Sequence, residues 1–290
     1  MGSAVLDNTD KGIMTDTRTD TEHIERLRRL VERTRGFIFD LDGTLYLGDH
    51  LLPGAAEAVA ALRAHGKRLA FVSNKPIGRR EEYADKLNRL GIPCSLDEVI
   101  NSALVAARYL QKHRPGARCF PVAEQPVIDE LLAHGLRISD NPEQIDVVVV
   151  SFDRTFDYRK LEIAYRASLH GADLMATNPD RTCPMPGYNL PDAACMIAAI
   201  EACTRRKVEP IVGKPSAIML QEALDILHLE ARECAMVGDR PETDILMAHR
   251  AGLAGILVLT GVTSAADLDS LPVRPDIVLP TVGQIAEVLR

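Results

Sequence analysis

Short apolar runs alternate with longer amphipathic segments along most of the chain. Residues 37–39 and 68–72 form two such runs, and segments with apolar residues at helical spacing follow them at 53–65 and 78–90. In the middle of the chain, the run Val147–Val150 is typical of a buried parallel strand. This alternation of strands and helices predicts βαβ units and a parallel sheet.

A middle block with its own strand–helix alternation separates the first and last blocks of the same kind. We therefore predict an α/β protein with a Rossmann-like, doubly wound parallel-sheet core and an inserted α/β domain. The core comprises 36–97 and 207–290, and the inserted domain comprises 98–206. An N-terminal extension covers 1–35, with a polar, disordered tail over 1–20 followed by a short amphipathic helix.

Composition narrows the class of protein. Of the 290 residues, 46% are hydrophobic and 26% are charged, values of a globular chain with a sizeable core. The formal net charge of -7 argues against a nucleic-acid or anionic-membrane surface. No apolar run approaches the ~20 residues of a transmembrane helix, and the polar N-terminus lacks a secretory signal. We expect a cytoplasmic protein with no nucleic-acid or membrane partner.

Polar and charged residues follow the ends of several apolar runs. These residues are Asp40 and Asp42, Ser73 and Asn74, Lys214, and Asp239 and Asp244. In open α/β sheets, ligands bind in a crevice outside the carboxyl ends of the strands. We expect these side chains to converge there.

Asp40 and Asp42 stand two positions apart on an extended segment, so their carboxylates project to one side and repel each other unless a cation or a shared proton intervenes. The pair indicates a metal-bound nucleophile beside an acid/base group, or else an Asp-rich turn. Asp239 and Asp244 offer the hard oxygen ligands that suit Mg²⁺, or cap a helix. Gly238 lets the backbone approach a ligand closely.

Lys214 lies between a glycine and a proline, where an ammonium group can meet a phosphate closely. Ser73 and Asn74 offer a hydroxyl and an amide to phosphate oxygens. The alternatives are an exposed lysine at a turn and a helix cap or Asx-turn.

The ordered set Asp40-x-Asp42-x-Thr44, Ser73-Asn74, Lys214 and Gly238-Asp239-x-x-x-Thr243-Asp244 resembles the four motifs of the haloacid dehalogenase-like superfamily. The stretch between Ser73 and Lys214 resembles the large α/β cap of the type IIA branch, which includes NagD- and AraL-like phosphatases. The segments 152–156 and 176–180 strengthen this likeness.

The resemblance implies a Mg²⁺-dependent phosphatase of small phosphorylated metabolites, with sugar phosphates as one option. Asp40 would become an aspartyl phosphate, and Asp42 would act as the acid and then the base. Mg²⁺ would bind Asp40, the main-chain carbonyl of Asp42, and Asp239, with Asp244 close behind. Ser73 and Lys214 would hold the phosphoryl oxygens.

Other chemistries fit this scaffold less well or remain open. A dehalogenase needs no acid for its leaving group, so Asp42 argues against it. Phosphotransfer to a second substrate and a non-catalytic metabolite-binding protein remain alternatives. Whether Lys75, Asn178, Asp180 or Asp192 contacts the substrate is open, as is a homodimer through the cap, which relatives with this cap often form.

Overall fold

The computed structural model describes residues 17–185 and 187–290. The tail predicted for 1–20 therefore lies mostly outside the described residues, and the N-terminal helix begins at Thr17. The helices are α1 (Thr17–Arg33), α2 (Ala55–Ala64), α3 (Arg80–Arg89), α4 (Ser102–His113), α5 (Gln125–Ala133), α6 (Tyr158–Leu169), α7 (Ala193–Thr204), α8 (Ala217–Leu227), α9 (Leu246–Ala251) and α10 (Gln284–Val288).

The strands alternate with these helices as predicted. They are β1 (Gly36–Asp40), β2 (Tyr46–Leu47), β3 (His50–Leu51), β4 (Arg68–Ser73), β5 (Val99–Asn101), β6 (Arg118–Val122), β7 (Arg137–Ile138), β8 (Val147–Val150), β9 (Asp173–Ala176), β10 (Thr182–Met185), β11 (Tyr188–Pro191), β12 (Cys234–Gly238), β13 (Ala254–Val258) and β14 (Ile277–Leu279).

A six-stranded parallel sheet forms the core, in the order β14-β13-β12-β1-β4-β5. Side chains of β1 alternate between its two faces. Phe37 and Phe39 pack with α1 and α2 on one face, and Ile38 belongs to the cluster on the other face, which includes α8. Helices therefore cover both sides, which confirms the doubly wound α/β core.

A separate four-stranded parallel sheet, β7-β6-β8-β9, forms the inserted domain. The predicted strand around Val147–Val150 lies in this second sheet and not beside β1. The fold is therefore a core sheet with an inserted α/β cap, as predicted.

The first part of the predicted cap lies in the core. Val99–Asn101, which the predicted boundary at 98 assigned to the cap, pairs in parallel with β4 at the edge of the core sheet. Helix α4 follows, and its apolar side chains share one buried cluster with Leu220 of α8 and Val127 of α5. A three-residue strand is too short to show a periodic pattern, so the sequence did not reveal it.

Two short antiparallel hairpins, β2–β3 and β10–β11, were not predicted from the sequence. The short apolar run 211–212, which precedes Lys214, forms only an isolated bridge from Ile211 to Ala176. None of the described helices is long and apolar enough to span a membrane.

Candidate active site

The strand-end residues converge at one edge of the core sheet. Asp40 and Ser73 end the neighbouring strands β1 and β4, and Asp239 follows β12 on the other side of β1. Together with Asp42 and Lys214 they line one cavity of about 50 Å³. Ligand pockets for small molecules usually hold ~300–1,000 Å³, so little space remains over the reaction centre. Thr182, Cys183 and Pro184 of β10 in the cap also line this cavity.

Lys214 is buried among carboxylates. Its Nζ contacts Asp40 Oδ1 and lies 2.8 Å from Asp244 Oδ1. Burial opposes its charge, but the attraction of Asp244 and Asp40 outweighs that penalty and raises the pKa of Lys214 above its ordinary value. The predicted alternative of an exposed lysine at a turn is wrong, because the residue is only 2% exposed.

Three buried carboxylates form a cluster beside Lys214. One oxygen from each of Asp40, Asp239 and Asp244 lies within 4.8 Å of the others. Burial, reinforced by the charges of Asp40 and Asp244, raises the pKa of Asp239 to about 8. Burial also raises the pKa of Asp244 to about 6, against the opposing effect of Lys214. Like charges held together in this way are stabilised by a cation, so these oxygens could hold a metal ion.

Backbone contacts fix the orientation of Asp239 and Asp244. Val262 N donates to Asp239 Oδ2 at 2.6 Å, and Arg240 N donates to Asp244 Oδ2 at 3.1 Å. A Cβ at Gly238 would lie 2.3 Å from the carboxyl group of Asp244. The glycine predicted to admit a ligand therefore makes room for this side chain.

Asp42 lies just past β1 and is partly exposed to the cavity. Lys75 Nζ is 3.8 Å from Asp42 Oδ1. Burial raises the pKa of Asp42, and the Lys75 ammonium works against that rise. A carboxyl group with a raised pKa at the cavity wall is suited to giving and taking protons.

The two residues at the end of β4 differ in what they can offer a ligand. Ser73 lines the cavity, and its Oγ accepts a hydrogen bond from Lys75 N at 3.1 Å. Asn74 Nδ2 donates to Lys214 O at 3.0 Å and to Asp180 Oδ2 at 3.1 Å, so both amide hydrogens are in use. The geometry therefore does not favour the predicted role of Asn74 as a phosphate ligand.

Cap residues complete the cavity. Asp180 and Asp192 line it. Asp192 Oδ1 also accepts from Ala193 N at 2.6 Å, so this residue both caps α7 and lines the cavity. Asn178 is absent from the lining, and its Nδ2 donates to both carboxylates.

Two further residues of the site, Arg240 and Thr182, were not predicted from the sequence. Arg240 lines the cavity and donates through Nη2 to Thr182 O at 3.3 Å, which joins the core to the cap. In the sequence, only its position directly after Asp239 could have indicated that Arg240 belongs to the site. No feature of the sequence indicated Thr182, because the β10–β11 hairpin that contains it was not predicted.

Two segments of the chain match families of known hydrolases. Residues 37–137 match the haloacid dehalogenase-like hydrolase family, and residues 211–285 match a HAD-hydrolase-like family. The chain is 36% identical over 252 residues to the sugar-phosphatase AraL of Bacillus subtilis, which covers 87% of this chain and 92% of that protein.

Two solved structures share both domains. The 4-nitrophenylphosphatase of Thermotoga maritima superposes with a TM-score of 0.86 at 34% identity, over 90% of this chain and 99% of that one. NagD from E. coli K-12 superposes with a TM-score of 0.78 at 32% identity, over 86% of this chain and 97% of that one. The chain thus belongs to the haloacid dehalogenase-like hydrolases, in the type IIA branch of NagD- and AraL-like phosphatases.

Proposed function

We propose that this protein is a Mg²⁺-dependent phosphatase that hydrolyses small phosphomonoesters through a phosphorylated Asp40. The observation that carries the proposal is the buried ion pair of Lys214 with Asp40, beside the carboxylates of Asp239 and Asp244. This arrangement combines a nucleophile, a cation and a metal-binding carboxylate cluster at one strand edge.

The carboxylate cluster fits a divalent cation with a preference for oxygen ligands. Asp40, the main-chain carbonyl of Asp42, and Asp239 would hold Mg²⁺, with Asp244 beside them. When bound, the ion supplies positive charge that offsets the repulsion between the phosphate and the nucleophilic carboxylate. Lys214 contributes a second, fixed positive charge from the protein itself.

The reaction proceeds in two half-reactions. A carboxylate oxygen of Asp40 attacks phosphorus, the bond from phosphorus to the ester oxygen breaks, and Asp42 gives its proton to the departing alcohol. Asp42 then takes a proton from water, whose oxygen attacks phosphorus and releases inorganic phosphate from Asp40. Ser73 and Lys214 hold the phosphoryl oxygens during both transfers.

The cavity wall favours a polar, uncharged leaving group. Lys75 offers an ammonium group, Thr182 a hydroxyl group and Asp192 a carboxyl group, all of which can bond with hydroxyls. Asp180 and Asp192 would repel a second anionic group of the substrate, and Arg240 of the same wall is already paired with Asp180. Sugar phosphates meet this description, and the likeness to a protein named sugar-phosphatase supports the choice.

A panel of phosphomonoesters tests the proposal. Purified protein with Mg²⁺ should release phosphate from p-nitrophenyl phosphate and from neutral sugar monophosphates. We expect kcat/KM to be at least tenfold lower for sugar bisphosphates and phosphorylated carboxylic acids. No release from any ester would refute the phosphatase proposal, and a preference for the doubly anionic esters would refute the substrate class.

A further inference from the structure

The amide of Asn74 holds the backbone of Lys214 on both sides. Asn74 Oδ1 accepts from Lys214 N at 2.7 Å, and Asn74 Nδ2 donates to Lys214 O at 3.0 Å. Both residues are at least nine-tenths buried. The side chain of Asn74, the residue directly after β4, therefore fixes the main chain of Lys214.

These two bonds require one orientation of the amide. If the amide were reversed, the Nδ2 hydrogens would face Lys214 N–H and the oxygen would face Lys214 O. Lys214 uses its N–H as a donor and its carbonyl as an acceptor, so both bonds would be lost. These two bonds therefore already favour the observed orientation.

A carboxylate from the cap reinforces this orientation through a third hydrogen bond. Asp180 Oδ2 accepts the other Asn74 Nδ2 hydrogen at 3.1 Å, and a reversed amide would place an oxygen against this charge. Asp180 is itself held by Asn178 Nδ2 at 3.3 Å and lies 3.7 Å from Arg240 Nη1. Its side chain is 12% exposed.

We propose that Asp180 of the cap is a positioning residue, which acts through Asn74 to fix Lys214 against Asp40. The proposal rests on the proposed function for its catalytic consequence only. The cap thereby completes the reaction centre: it supplies the Asp180 carboxylate, Asn74 holds the main chain of Lys214, and Lys214 presents its ammonium to the nucleophile.

Hydrogen exchange tests the positioning without any need for activity. The Lys214 amide, measured by NMR in the full-length protein, should exchange at least tenfold faster in Asp180→Ala. The Val237 amide in β12 serves as the reference for opening of the core. Asp140→Ala is the matched control, because Asp140 is an exposed cap carboxylate that pairs only with exposed Arg159 among the described residues.

Asp180→Asn separates positioning from general destabilisation. Its remaining Oδ1 can still accept from Asn74, so we expect Lys214 protection within about threefold of the wild type. Unchanged exchange of the Lys214 amide in Asp180→Ala would overturn the proposal. Equal acceleration of the Lys214 and Val237 amides in both variants would also overturn it, because the effect would then be global.

Kinetics test the route through Asn74. With p-nitrophenyl phosphate and Mg²⁺, Asp180→Ala should lower kcat by about 10- to 100-fold and change KM by less than threefold. The double variant Asn74→Ala/Asp180→Ala should be no slower than Asn74→Ala alone. A rise in KM at constant kcat, or additive losses in the double variant, would contradict the proposal. A wild type without activity refutes the proposed function and leaves the exchange result to decide the positioning.

Discussion

Lys214 and Asp244 form an ion pair in which Nζ and Oδ1 are 2.8 Å apart and neither side chain is more than 3% exposed. Burying two charges costs several kcal/mol per ion, and their attraction repays this only with close geometry. Here the ammonium also contacts Asp40, so one cation faces two carboxylates. This pair joins the segment after Gly213 to the helical turn Pro241–Ile245, which follows β12, at the centre of the site.

Replacing Lys214 by methionine should destabilise the metal-free protein and remove its activity. The change leaves buried carboxylates without their cation, and loss of one partner of a buried pair costs ~3–5 kcal/mol. Urea unfolding in EDTA measures the free energy of unfolding. The control is Lys207→Met, which replaces a lysine with a 76% exposed side chain and should leave the free energy of unfolding close to that of the wild type. Equal stabilities of the two variants would contradict the central role of this ion pair.

Asp40→Asn should lower kcat at least a thousandfold, which corresponds to ~4 kcal/mol of barrier. The amide has nearly the same shape but is a poor nucleophile and a weaker metal ligand. Steady-state rates and a thermal melt measure activity and folding, and Asp49→Asn is the control because its side chain is 82% exposed. Activity within about tenfold of the wild type would rule out Asp40 as the nucleophile.

Asp42→Asn should separate the two half-reactions with p-nitrophenyl phosphate. The p-nitrophenolate ion leaves without help from an acid, whereas hydrolysis of the phosphorylated Asp40 still needs a base. We expect a burst approaching one p-nitrophenolate per chain, followed by a steady rate lower by ~10²–10⁴-fold. Stopped-flow absorbance follows both phases. A linear trace at the wild-type rate would show that Asp42 takes no part, and Asp40→Asn should show no burst.

Activity should require Mg²⁺, fall to background in EDTA and return when Mg²⁺ is added in excess. Ca²⁺ should inhibit, since it is larger and takes more ligands, and would engage a second oxygen of the Asp40 nucleophile. Phosphate release under metal titration measures both effects. Full activity after exhaustive chelation would contradict the assignment of the carboxylate cluster as a metal site.

The metal-free protein should lose stability as pH rises from about 4 to about 8. In the folded state, the pKa of Asp239 is raised to about 8 and that of Asp244 to about 6, and burial is the largest cause of both shifts. Within this window the folded state binds more protons than the unfolded state, so the free energy of unfolding falls with pH. The pKa of Lys214 is raised from an already high value, so its contribution stays constant over this range.

Mg²⁺ should therefore raise Tm more at pH 8 than at pH 5, because protons compete with the metal for the carboxylates at low pH. Thermal melts in EDTA and in Mg²⁺ at both values measure this difference. Asp239→Asn should reduce the difference between the two gains in Tm, because it removes the carboxyl group whose pKa is raised to about 8. A larger gain in Tm at pH 5 would contradict these protonation states.

The sequence by itself determined the alternation of strands and helices in the core and the polar residues that follow the strands. A buried parallel strand reads as a short apolar run, and its carboxyl end is where polar residues become necessary. Asp40, Ser73 and Asp239 could be identified from that local pattern, and the spacing of the motifs indicated their family. Lys214 entered through its motif, because the run before it is a bridge and not a strand.

Only the tertiary structure decided what each polar group is bonded to. Asn74 was predicted to meet a phosphate, but its amide holds the backbone of Lys214, which lies 140 positions away in the chain. Val99–Asn101 joined the core because it pairs with β4, and Arg240 became part of the site because it reaches Thr182 of the cap. These bonds connect segments that are far apart in the sequence. The residues around each partner show no periodic or compositional pattern that would predict the bond.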